Sequence, residues 1–253
     1  MQKVKEIPQC FEILKNKPKD LYYEGNLSLM NMPMVAIVGT RHPISYTKQL
    51  CLNLGNALKK RGVCVVSGAA MGVDALAHRS AFPNTIAVMA NSLDICYPKV
   101  NFSLIEDMRR ESLLLSEYEE NTKATNYSFV LRNRLVVALG EVLVVAEADL
   151  DSGSMRSAEI AHQLGKKIFV FPHRSGESLG TNMLLSKGMA TAIYDIDDFA
   201  DKFGKIIETS DKFLDFCKEN ENIQDILEKF GDMVYEYELA GKIEIHDMKV
   251  LVL

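Results

Sequence analysis

The sequence predicts an α/β protein built on a doubly wound, mostly parallel sheet, and three observations carry that prediction. Short apolar, β-branched runs recur along the chain and alternate with segments that carry apolar residues at helical spacing. The runs are apolar throughout rather than alternating, the pattern of strands buried on both faces. Several of them lead into small-residue loops that open directly into a helix, at Gly39-Thr40-Arg41, at Ser67-Gly68 and at Ser152-Gly153-Ser154.

Residues 1–33 show no strong period and contain Pro8, Pro18 and Pro33, which predicts a short helical and turn segment leaning on the main domain. Met34 to Val38 is the first strand. Tyr46 to Arg61 has apolar residues at 50, 54 and 58, one face of a helix. Strands then follow at Val63 to Ser67, Thr85 to Ala90, Leu113 to Glu117, Val142 to Glu147, Lys167 to Pro172 and Ala190 to Tyr194. Helices fall between them at Val73 to Ala81, Phe102 to Arg110, Phe129 to Leu139, Met155 to Leu164 (stopped by Gly165) and Thr181 to Lys187. Residues 34–205 therefore read as one Rossmann-like domain. Such sheets bind ligands at the carboxyl ends of their strands, which gathers Arg41, Ser67-Gly68, Glu117-Tyr118, 148–154 and Pro172-His173 near one rim.

The tail, residues 206–253, is different. Phe213, Phe216 and Cys217 share a helical face, and Ile223 to Phe230 and Met233 to Ala240 read as two more helices. Gly241 then precedes Lys242 to Ile245 and Val250 to Leu253, which pair as a hairpin. Helices followed by a hairpin predict a small winged-helix-like domain.

A chain of 253 residues with 47% hydrophobic and 25% charged residues is an ordinary globular protein. The amino-terminal residues lack the apolar core of a secretory signal, and the most apolar stretch, Leu135 to Ala146, is broken by Gly140 and Glu141 and too short to span a bilayer. Cys10, Cys51, Cys64, Cys96 and Cys217 are scattered and odd in number, as expected of free thiols in a reducing cytoplasm. The net charge of −5 argues against a nucleic-acid protein, but its location reverses that. From residue 201 onward there are 13 acids against 7 bases, so the main body is close to neutral and has room for a local basic pocket.

Ser67 to His78 is the segment richest in chemical meaning. A strand that ends in small residues and opens into a helix presents unpartnered N–H groups to an anion. It has neither the Gly-x-Gly-x-x-Gly spacing of dinucleotide sites nor the Gly-Lys-Ser/Thr of a phosphate loop, so classical nucleotide cofactors lose ground. The same stretch also reads as an ordinary tight turn. Arg41 at a neighbouring strand end suits a phosphate, or is a solvated surface charge. Ser152-Gly153-Ser154 offers a second small, hydroxyl-bearing helix start, with Ser154 equally readable as a cap. Phe129, Arg132 and Asn133 share a helix face, either core plus surface charge or an aromatic plate beside a cation, the usual arrangement for single-stranded nucleic acid. Tyr127 adds a second plate, and Arg134 points elsewhere. Asp74 and His78 lie one turn apart but have no third ligand at metal-site spacing, so a capping Asp and a partly buried His are the simpler reading. Glu147, Asp149 and Asp151 form an acidic strand end. No Ser/His/Asp or Cys/His constellation is assignable.

Taken together, these residues resemble the DprA/Smf family of bacterial DNA processing proteins. The resemblance runs from Val35 to Gly188 and more weakly into the tail. It rests on Gly39-Thr40-Arg41, Ser67-Gly68, Gly72, Asp74, Ala77-His78, Tyr97-Pro98, Asn101, Ser116-Glu117-Tyr118, Phe129, Arg132-Asn133-Arg134, Glu147-Ala148, Ser152-Gly153-Ser154, Ala158, Pro172, Gly180, Asn182 and Gly188. It implies an extended Rossmann fold that binds single-stranded DNA, dimerises, protects incoming DNA during natural transformation and helps load the RecA recombinase. No catalysis and no cofactor are implied, and a winged-helix-like carboxyl-terminal domain is usual in part of the family. By position, the family's DNA pocket falls on Arg41, Ser67, Gly68, Phe129, Arg132, Ser152, Gly153 and Ser154. The basic side chain frequent just before the aromatic is replaced by Asn126 or Tyr127. His173 stands in place of the glycine usual after Pro172, and Glu119 and Glu120 stand in place of two prolines.

A rival expectation comes from enzymes of the lysine-decarboxylase-like group, which cleave nucleoside monophosphates at the glycosidic bond and carry Pro-Gly-Gly-x-Gly-Thr-x-x-Glu. The corresponding stretch, Asp151 to Glu159, keeps the glutamate but not the glycine run.

Overall fold

A computed structural model describes residues 1–207 and 211–252; residues 208–210 and Leu253, the last residue of the predicted hairpin, lie outside it. The chain divides into two compact units, Met1–Ile206 and Ile207–Leu253.

The first unit opens with β1 (Gln2–Lys3) and β2 (Tyr22–Gly25). The alternation then runs β3 (Met34–Val38), α1 (Ser45–Lys60), β4 (Cys64–Ser67), α2 (Val73–Ala81), β5 (Thr85–Val88), α3 (Phe102–Glu111), β6 (Leu113–Ser116), α4 (Asn126–Leu139), β7 (Val142–Val145), α5 (Gly153–Gln163), β8 (Ile168–Val170), α6 (Leu179–Ser186), β9 (Thr191–Ala192) and α7 (Ile196–Ala200). One nine-stranded sheet has the order β1-β2-β6-β5-β4-β3-β7-β8-β9. From β6 to β9 every pairing is parallel. Strands β4 to β8 are buried along their whole length, which is why they read as continuous apolar runs.

The chain winds outward from β3 through β4 and β5 to β6, returns across the sheet through α4, and winds outward again through β7, β8 and β9. This is the Rossmann-like doubly wound arrangement with one extra strand on the first arm. Residues of α4 and α5 pack with one face of the sheet, and residues of α1, α2 and α7 with the other. In its second half α4 is buried from Leu135 through Leu139, so it carries no polar stripe there.

The amino-terminal segment differs from the expectation of helix and turn. Its helical content is limited to two short 3-10 turns, Gln9–Phe11 and Leu27–Asn31. Tyr22–Gly25 instead pairs antiparallel with β6, and Gln2–Lys3 pairs with it in turn. The free edge of β6 supplies a hydrogen-bonding partner that no local pattern in residues 1–33 reveals. Phe11, Leu14, Leu21 and Leu29 enter the core beneath.

The second unit has its own core around Phe213, Ile226, Val234 and Val250. It contains α8 (Lys212–Glu219), α9 (Ile223–Phe230) and α10 (Met233–Leu239), then an antiparallel hairpin of β10 (Ile243–His246) and β11 (Lys249–Val252). Among the described residues, no helix is long and apolar enough to cross a membrane.

Candidate nucleic-acid interface

Between β3 and β7 the connections leave in opposite directions, and crevices in such sheets form at that switch point. A cleft of about 360 Å³ opens there. Its walls come from the end of β3 (Gly39, Thr40, Arg41), from α4 (Phe129, Arg132, Asn133), from the start of α5 (Ser152, Gly153, Ser154) and from Asp74 of α2.

Ala70, the residue of the loop before α2 that lines this cleft, does not present a free N–H to it. The Ala70 N–H donates to Asp74 Oδ2 (3.3 Å), so the anion at this helix start is the chain's own carboxylate. The Ala69 N–H donates to His78 Nε2 (3.3 Å), and Asn101 Nδ2 donates to the Ala69 and Ala70 carbonyls (3.0 Å each). Together these hold Ala69 at a left-handed φ of 55°. The Thr85 hydroxyl donates to the Val65 carbonyl (2.9 Å), so His78 Nδ1 must be the donor to Thr85 Oγ1 (2.6 Å) and Nε2 the acceptor. This is a neutral imidazole, and burial pushes its pKa down to about 3. Both ring nitrogens are engaged, which disposes of a metal role shared with Asp74. Gly72 has φ +77°, and a Cβ there would overlap the Thr40 carbonyl, which accepts the Val73 N–H at 3.1 Å. The closeness fixes the β3 loop to α2.

Arg132 closes the same floor. It is 4% exposed, and its guanidinium donates to the carbonyls of Gly68 and Val88 and, through Nε, to Asn133 Oδ1 at 3.2 Å. A Cβ on Gly68 would sit 2.0 Å from this guanidinium, so the glycine makes room for the arginine. Burial raises the Asp74 pKa and lowers that of Arg132, and each charge offsets part of the other's shift.

The opposite half of the cleft is open. Thr125 caps α4 by accepting the Ser128 N–H (3.1 Å) while Ser128 Oγ accepts the Thr125 N–H (2.8 Å), which sets Phe129 in the next turn. The guanidinium of Arg41 lies 5.8 Å from the Phe129 ring centroid, and Tyr97, 46% exposed, lies 5.9 Å from it on the centroids at 45°. Ser152 caps α5 by accepting the Met155 N–H (3.3 Å), and the next N–H groups, at Gly153 and Ser154, have no intrahelical acceptor. A Cβ on Gly153 would meet no atom within 4 Å. This glycine is not needed for packing, and the space above it is open to a ligand.

The structure thus gathers Arg41, Phe129, Arg132, Ser152, Gly153 and Ser154 around one cleft, with Gly68 in an adjoining recess that Phe129 and Tyr97 also line. One expectation needs correction, at Ser67, and Arg132, Asn126 and Tyr127 are placed differently from the rest. Ser67 is fully buried and its hydroxyl donates to the Ile37 carbonyl (2.6 Å), so it does not face the site. Arg132 lines the cleft and commits Nε and Nη1 internally, which makes it a pillar of the floor, while Nη2 has no partner within the described residues. Asn126 and Tyr127, both exposed on the first turn of α4, do not line the cleft. Tyr97 was absent from the predicted site, although it stands beside Pro98 in the resemblance. Of the acidic strand end, Glu147 Oε2 accepts the Ile44 N–H (3.1 Å), a scaffold role. Glu159 is exposed on α5 and does not line the cleft. His173 binds the Phe171 carbonyl in its own loop and Thr47 Oγ1 in the first turn of α1 (3.0 Å each).

Residues 1–204 match the sequence profile of the DNA recombination-mediator protein A family. The chain belongs to that family. Its relatives include the Smf protein of Synechocystis, 35% identical over 175 residues that cover 66% of this chain and 44% of that one. They also include the DNA processing protein DprA of Streptococcus pneumoniae, 35% identical over 178 residues that cover 68% and 62%. The chain spans about half the length of the curated relatives it matches. Among solved structures, DNA processing protein A of Helicobacter pylori, described for its single-stranded DNA binding mode, superposes with a TM-score of 0.78 at 44% identity, covering 79% of this chain and 94% of that one. The Streptococcus pneumoniae DprA structure superposes with a TM-score of 0.73 at 32% identity, covering 78% and 71%.

Proposed function

We propose that this chain is a single-stranded DNA-binding recombination mediator that holds the strand in the switch-point cleft. The observation that carries it is the pairing of an exposed cation with a part-exposed aromatic, Arg41 against Phe129, opposite an open helix start at Gly153 and Ser154. Phe129 stacks on a base with Tyr97 beside it. Arg41 neutralises a phosphate, and the Gly153 and Ser154 N–H groups meet phosphate oxygen. Binding is tolerant of sequence, because every base offers a face to stack. Membership of the family and the single-strand binding described for the Helicobacter pylori relative support this reading.

In keeping with the family, the protein acts as a cytoplasmic homodimer that shields incoming DNA and delivers it to RecA, without catalysis of its own. The tail, helices followed by a hairpin, serves as a winged-helix-like module. Its acidity suits protein contact better than phosphate contact.

Fluorescence anisotropy with labelled oligothymidine tests the site. Phe129→Ala weakens binding by about 1–3 kcal/mol, the worth of one stacked base. Arg41→Ala lowers the salt slope by about 0.7. Equal affinity and equal slope in both variants and the parent protein would remove the assignment.

A further inference from the structure

The arginines of the first unit fall into two groups. Arg61, Arg109, Arg110 and Arg134 each meet a carboxylate, and Arg132 is buried on carbonyls. Among the described residues, Arg41, Arg79, Arg156 and Arg174 meet no carboxylate within 4.0 Å, and neither does Lys48. Of these, Arg41, Arg79 and Lys48 line one further cleft, of about 420 Å³, between the Arg41–Pro43 loop, the first turn of α1 and the outer face of α2. His42 lines it as well, and no acidic residue does. The Asp74 carboxylate of α2 is turned onto the Ala70 N–H, and Glu147, after β7, is turned onto the Ile44 N–H. All three cations are exposed, so no folding requirement placed them together. Arg41 also lines the switch-point cleft, which makes the two clefts continuous across one side chain.

We infer that the single strand continues past Arg41 into this second cleft, where Lys48 and Arg79 bind the phosphates of further nucleotides. No aromatic plate lines it, so here the backbone is held and the bases are not. The track has a base-stacking half at Phe129 and Tyr97 and a phosphate-only half at Lys48 and Arg79, joined at Arg41. The loop between them is rigid, because the Thr40 carbonyl accepts from Val73 and Thr40 Oγ1 accepts the His42 N–H at 3.2 Å.

This inference rests on single-strand binding at the first cleft, and the test separates the two. Oligothymidines of about 4 and about 16 nucleotides, spanning the usual range of single-strand site sizes, are titrated by anisotropy against the full chain at several salt concentrations. Lys48→Ala/Arg79→Ala leaves the short strand within about twofold of the parent, weakens the long strand about tenfold, and lowers the long-strand salt slope by about 1.4. Lys48→Arg/Arg79→Lys, which keeps both charges, retains the long-strand affinity. An unchanged long-strand affinity and slope would overturn the continuation and leave the first cleft standing. Equal losses on both strands would also overturn it, since the two cations would then serve the same nucleotides as Phe129. If the parent protein binds neither strand, the first cleft and its continuation fall together.

Discussion

Two helix starts on the same rim look alike in sequence and differ in what they hold. Ser67-Gly68 before α2 and Ser152-Gly153-Ser154 before α5 both place small residues where helical N–H groups lack partners. The first is closed from within: Asp74 supplies the anion, His78 and Asn101 hold the loop, and Arg132 fills the space over Gly68. The second is capped once, by Ser152, and is otherwise open, with empty space above Gly153. A glycine at a helix start therefore carries two meanings, and the atom its Cβ would meet separates them. At Gly68 that atom is a guanidinium nitrogen of the protein; at Gly153 there is none.

The largest effect that can break this contrast is on Arg132. If it is a pillar, Arg132→Met deprives the Gly68 and Val88 carbonyls of this donor and Asp74 of its opposing charge, at a cost of about 3–5 kcal/mol in urea unfolding. Arg41→Met, on the open side, changes stability by about 0.5 kcal/mol or less and acts on binding. A stable Arg132→Met protein that loses only DNA affinity would return Arg132 to the role of a free phosphate cation.

Most of the sheet was legible because its strands are buried on both faces and read as unbroken apolar runs. Strands β1 and β2 were not, because two to four residues with no period become strands only when the distant edge of β6 is present. The first helix start was legible as an anion site and illegible as an occupied one, since only the direction of the Asp74 side chain decides that. One clue was available: an aspartate inside the first turn, four residues after Ala70. Arg132 carried a clue too, because the helix around it is apolar on every side from Leu135 on. Tyr97 reaches Phe129 only through the topology, with no spacing in the sequence to announce it.

The closed start also predicts a pH dependence. His78 is neutral in the fold with a pKa near 3, against about 6.5 when unfolded. Between those values the unfolded chain binds more protons, so stability is complete above about pH 6.5 and declines as pH falls toward 3, by a few kcal/mol at most. Asp74 has the opposite sign. Its raised pKa means that the fold holds the extra proton above 3.8, so Asp74 offsets part of the decline that His78 produces. His78→Gln gives a protein that is less stable at pH 7 and whose unfolding midpoint varies less with pH. Parallel curves for variant and parent would show that the imidazole is not the buried neutral group.

The smallest effect sharpens the contrast most, because it separates folding from binding at a single carbon. Gly153 is the first residue of α5, where Leu is a good helix former and the added side chain meets open space. Gly153→Leu therefore leaves the unfolding free energy within about 0.5 kcal/mol. The same side chain fills the path to the Gly153 and Ser154 N–H groups and weakens oligothymidine binding about tenfold, as expected for loss of one or two charge-assisted hydrogen bonds. Gly68→Ala does the reverse. Its Cβ collides with Arg132, so stability falls first and binding only with it. If Gly153→Leu binds DNA as well as the parent, the open space above α5 is not part of the strand's path, and the two helix starts differ in packing alone.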